Sequence, residues 1–158
     1  MSKKLDNIDF DNFNTKDLLH NLEIKYTSGY KYQLHETVAF KLNVSFGVIE
    51  PINTRFIKLT TDGWLVIKWG YAWDGASGPT YDSKNTMRGS LVHDALYQLL
   101  RMGLIEQMYR DEADDELYDL IRDDGMWYIR AKSWHGAVTW FASSSAEPKS
   151  KKKVYSAP

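Results

Sequence analysis

Asp74, Ser77, His93, Asp94 and Asp114 are the side chains of this sequence whose types and spacing suit chemistry. One imidazole and three carboxylates offer a nitrogen and several oxygens, a donor set for a divalent ion that activates a water. With a single histidine, magnesium or manganese fits Asp74, His93, Asp94 and Asp114 better than zinc does. Adjacent helical residues diverge by about 100°, so His93 and Asp94 do not both point straight at one ion. A second chemistry is nucleophilic, with Ser77 activated by His93 and the imidazole oriented by Asp94 or Asp114. The segment GASGP (75–79) falls short of a nucleophile elbow, because Pro79 stands where the second glycine belongs. A third reading is structural. Asp74 caps loop amides, Ser77 bonds locally, Arg110 pairs with Asp114 one turn away, and His93 and Tyr97 bond between elements.

The elements that position these groups follow from periodicity. Between Tyr30 and Tyr71 the period is two: Val38, Phe40, Leu42 and Val44 alternate, as do Leu65, Ile67, Trp69 and Tyr71. The Asp-Gly pair in TTDGW (60–64) marks a hairpin between two such runs. After Pro79 the period becomes helical. Helices are expected over 87–102, closed by Gly103, over 107–124, closed by Gly125, and over 126–141. On the first, Leu91, Val92, Ala95, Leu96 and Leu99 form the core face. Ser90, His93, Asp94 and Tyr97 follow the spacing i, i+3, i+4, i+7 and make a second stripe without long solvating charges. Such groups want fixed partners. On the second helix the core stripe is Ala113, Leu117, Leu120 and Ile121, with Asp114 at its edge. Two helices joined through Gly103 pack antiparallel, which sets Asp114 opposite His93 and Asp94. Asp74, at a strand end, is the fourth member, turned inward by the small residues after it. The third helix places Trp127, Ala131, Trp134, Val138 and Phe141 on a core stripe.

The order GYAWDGASGP, HDALY, RDEAD and an aromatic-rich last helix resembles a phage and prophage family, domain of unknown function 1353. Its pattern is Gly-aromatic-x-x-Asp-x-Ala-Ser-x-Pro, His-Asp-x-Leu-Tyr and Arg-x-x-Ala-Asp, and the likeness covers about residues 63–141. Gly70, Asp74, Ala76, Ser77, Pro79, His93, Asp94, Leu96, Tyr97, Arg110, Ala113 and Asp114 fall on pattern positions. Gly78 and Trp73 depart from it, where the family has a branched apolar and a small hydroxyl residue; both changes bear on the pocket mouth. The resemblance implies phage ancestry and no particular reaction. Ser90, Tyr97 and Arg110 are the binding residues beside the catalytic candidates.

Of 158 residues, 43% are hydrophobic, enough for one well-cored domain, and the net charge of −1 gives no strong nucleic-acid signal. No cysteine is present, which excludes a disulfide scaffold and thiolate metal sites. No apolar run approaches a membrane span, and the start lacks a signal-peptide core. The expected fold is α+β, with N-terminal antiparallel hairpins packed against a C-terminal three-helix unit. Residues 1–14 read as a docking arm, 15–142 as one domain with a short helix over 14–22, and 143–158 as a flexible basic tail. Two functions result: a metal-dependent hydrolase-like site, or a virion assembly component whose termini order on neighbouring virion proteins. Either places the chain in the host cytoplasm during infection, and the second also in the particle.

Overall fold

The computed structural model describes residues 26–27, 32–75, 84–141 and 146–150. The expected docking arm, the helix over 14–22, Ser77 and the end of the tail lie outside those residues. The fold is α+β, with antiparallel strands in the N-terminal half and three helices in the C-terminal half. The chain divides into two compact units, 1–75 and 76–158, and the boundary falls inside the GYAWDGASGPT segment.

Among its described residues the first unit holds seven short strands in two sheets: β1 (Tyr26–Thr27), β2 (Tyr32–Leu34), β3 (Val38–Lys41), β4 (Ile52–Asn53), β5 (Ile57–Leu59), β6 (Trp64–Ile67) and β7 (Ala72–Trp73). One sheet runs β1-β2-β7 and the other β3-β6-β5-β4, all neighbours antiparallel. The TTDGW turn joins β5 to β6 in register Leu59↔Leu65. Gly63 takes φ +82° there, and Trp64 N–H donates to the Thr60 hydroxyl. Leu34, Val38, Phe40, Ile57, Leu59, Leu65 and Ile67 are buried. The expected alternation through Trp69 ends early. β6 stops at Ile67, Gly70 turns the chain at φ +84°, and Trp69 in that turn is exposed.

The second unit is built on α1 (Met87–Met102), α2 (Arg110–Asp123) and α3 (Tyr128–Phe141). α1 and α2 end as their glycines predict. Gly103 N–H donates to Leu100 O and Leu104 N–H to Leu99 O; Gly125 and Met126 repeat the pattern on Arg122 and Ile121. Each is a Schellman end, with glycine in the left-handed region at φ +71° and +85°. The second helix begins later than expected, because Gln107–Tyr109 form a 3-10 turn. α1 and α2 run antiparallel: His93 meets Asp114, while Arg88, five residues earlier, meets Asp124.

Two expectations fail in this unit. Trp127 is exposed rather than core, because α3 starts one residue after it and the helical phase does not reach back; Met126 is buried at the junction instead. Ala131 and Trp134 are core as expected, packed with Leu117, Ile121 and Met126, whereas the side chains of Val138 and Phe141 lie outside the described part. The expected solvated tail begins too early. Ala146 is fully buried, its carbonyl accepts from Gln107 Nε2 at 3.2 Å, and Pro148–Ser150 form a 3-10 turn beside α1. A small apolar residue with a satisfied carbonyl docks at little cost.

Candidate functional site

Asp114 is the centre of a buried polar group between α1 and α2. Its Oδ1 accepts from His93 Nε2 at 2.9 Å and from the Tyr97 hydroxyl at 2.8 Å. His93 and Tyr97 sit four residues apart on α1, one above the other, so both reach one carboxylate from a single face. Their rings lie 4.0 Å apart between centroids, tilted by 35°. An ionised carboxylate only accepts, so His93 Nε2 carries the proton. Asp114 Oδ2 and the Thr139 hydroxyl on α3 are both buried without a hydrogen bond of good geometry.

The other His93 nitrogen, Nδ1, lies 3.8 Å from Asp94 Oδ1, and the Asp94 side chain is partly exposed. Of the group's members Asp94 is the most exposed.

Burial is the largest single influence on His93 and favours its neutral form, but the bond to Asp114 and the nearby Asp94 carboxylate outweigh it and raise its pKa. Burial likewise pushes Asp114 toward the neutral acid, and the bonds from His93 and Tyr97 reverse that, leaving its pKa lowered. Burial and the Asp114 charge drive the Tyr97 phenol above its usual range. Both shifts act in the direction of an imidazolium–carboxylate pair, and the phenol is held neutral.

A pH dependence follows. His93 is raised above 6.5, so its contribution is fully present below that value and fades as pH climbs through the folded-state pKa. Asp114 is lowered from 3.8, so its contribution is present above that value and is lost as pH falls through the depressed one. The stability that the pair supplies is therefore largest between the two. Urea unfolding across this range should show a loss on the alkaline side that His93→Gln flattens. An alkaline limb identical in both proteins would contradict the pairing.

The other candidates are placed as follows. Asp74 is exposed: β7 alternates Ala72 out and Trp73 in, so the next residue faces out rather than inward. Gly75, next in the chain, is buried with φ +74°, a conformation that accounts for glycine there. Trp73, expected at a pocket mouth, is buried in its own sheet and its ring stacks near Tyr32 at 5.4 Å. Ser90 Oγ donates to Met87 O at 3.1 Å, a bond within its own helix. Arg110 pairs with Asp111 instead of Asp114, because its Nε reaches the adjacent carboxylate at 3.1 Å. Among the described residues no three His, Cys, Asp or Glu side chains are grouped to hold a metal ion; His93 hydrogen-bonds Asp114 and lies 3.8 Å from Asp94.

Three features of this unit escaped the sequence reading. Glu116 is buried on α2. Arg88 Nη1 meets Asp124 Oδ1 at 2.8 Å, and Asn85 Nδ2 donates to Asp124 O, which together tie the start of α1 to the end of α2. Gly89 lets the two helices approach closely; a glycine inside a strong helical pattern was its signal. Comparison with family models, with curated proteins and with solved structures finds no match to this chain.

Proposed function

We propose that this chain is a non-catalytic assembly component of phage type, in which His93, Asp114 and Tyr97 clasp the helical unit together. The observation that carries this reading is the engagement of the histidine. His93 is buried, and its Nε2 is bound to a carboxylate that also holds a phenol. Interlocked groups of this kind specify a fold by satisfying one another. Contacts with neighbouring subunits have a candidate place at the α1–α2 connection, where Met102, Leu104 and Met108 are exposed. The C-terminal segment docks at the same end through Gln107, which donates to both Leu100 O and Ala146 O. Exposed apolar residues beside the docked Ala146–Ser150 segment suit a subunit contact. The motif resemblance to domain of unknown function 1353 supports the phage setting, host cytoplasm first and virion afterwards.

The test is mass spectrometry of purified particles. The full chain should be present, and deletion of 151–158, which leaves the docked Ala146–Ser150, should remove it without changing its thermal midpoint. Absence of the full chain from particles would overturn the reading. A hydrolase-like site is the second reading, favoured by the His93 Nδ1 edge beside the partly exposed Asp94. On that reading millimolar Mn²⁺ or Mg²⁺ raises the thermal midpoint and His93→Gln abolishes the rise. No shift with metal leaves the assembly reading.

A further inference from the structure

We infer that the tip where α2 turns into α3 is a docking surface for an anionic lipid layer. Trp127, Tyr128 and Ile129 are three consecutive residues that stay 79%, 54% and 68% exposed. The first precedes α3 and the other two open it, so their side chains fan around the helix start instead of sharing one face. Burying none of three large apolar side chains in succession is unusual for a surface with no partner.

The same tip is cationic. Arg122, Arg130 and Lys132 are exposed there, against the exposed carboxylates of Asp123 and, one turn earlier on α2, Asp119. Arg122 Nη1 donates to the Met126 carbonyl, and its guanidinium lies over the Tyr128 ring at 5.8 Å. The Lys132 ammonium lies 6.0 Å from the same ring. Trp and Tyr sit at headgroup level, Ile reaches the acyl boundary, and long cationic side chains meet the lipid phosphates. Peripheral attachment of this kind needs no spanning helix, and no helix among the described residues is long and apolar enough to cross a membrane.

The geometry favours lipid over single-stranded nucleic acid. A base-stacking platform needs open ring faces on successive aromatics. Tyr128 already has two cations over its ring, and Ile129 has no ring to stack. An exposed aliphatic side chain within the patch is of use to a lipid surface, where it can insert.

Cosedimentation tests this with the full chain and two kinds of vesicle, phosphatidylglycerol mixed with phosphatidylcholine, and phosphatidylcholine alone. The protein should pellet with the mixed vesicles, and less so as salt rises. Arg130→Glu with Lys132→Glu should weaken partitioning at least about twenty-fold, since each cation near such a surface is worth about fivefold. Trp127→Ala with Ile129→Ala should abolish it, while both exposed-site variants keep the wild-type thermal midpoint. No pelleting with mixed vesicles overturns the proposal. So does equal binding to phosphatidylcholine alone, or binding to an oligo-dT strand without binding to vesicles.

Discussion

Asp114→Ala should remove about 3–5 kcal/mol of stability, the range expected when one partner of a buried charged pair is deleted and the other is left behind. Two donors lose their acceptor at once, because His93 Nε2 and the Tyr97 hydroxyl share the same oxygen. Neither has water to turn to, since both side chains are buried in the helical unit. The imidazole then gives up its proton, and the phenol is left as an unsatisfied buried donor. Asp114→Asn is the informative companion. Its amide oxygen can still accept both bonds but carries no charge, so its loss should be intermediate. Urea unfolding, with the slope unchanged and the midpoint lowered in that order, checks both. A loss below about 1 kcal/mol for the alanine variant would mean that the clasp contributes little, and would return the group to the hydrolase-like reading.

The helical unit was the more legible half. Its pattern has a clear period, and both terminating glycines sit where a left-handed cap is required. The same periodicity set Asp114 opposite the α1 stripe, because a helix pair joined by a short turn has few ways to pack. What the pattern could not give was the choice among neighbours. Arg110 had two carboxylates within reach, and side-chain reach, not helical spacing, awarded it to Asp111. Serine at 90 looked like part of the same stripe, yet its short hydroxyl bonds more easily to its own helix. The strand half was read more coarsely. Alternation predicted burial for Trp69, but alternation only holds while the strand continues, and a turn at Gly70 ended it. Asp74 was misjudged for a related reason. Small residues after it suggested an inward turn, whereas its orientation follows from the buried Trp73 beside it.

Gly89→Ala should destabilise the protein although alanine is the better helix former. In an exposed helix this change would gain about 1 kcal/mol. Here a methyl group at residue 89 would stand 2.7 Å from Ile121 Cγ2 and 2.8 Å from Leu117 Cδ1. Those are side-chain atoms and can yield, but the Leu117 carbonyl oxygen at 3.1 Å belongs to the α2 backbone. Relief therefore requires the helices to move apart. That motion also lengthens the contacts farther along the pair, where His93 meets Asp114 and Arg88 meets Asp124. Overpacking of a close-packed interface costs about 1–3 kcal/mol, so after the propensity gain a net loss of up to about 2 kcal/mol is expected. Gly89→Val, with two more carbons in the same gap, should lose more. A double-mutant cycle separates steric conflict from any local effect on α1. Leu117→Ala removes Cδ1 and leaves a hole that the new methyl group partly fills, so the combination with Gly89→Ala should be less damaging than the sum of the two by at least about 1 kcal/mol. Strict additivity would show that the two positions do not press on each other. A stabilised Gly89→Ala would show that α1 and α2 are held farther apart than this interface requires.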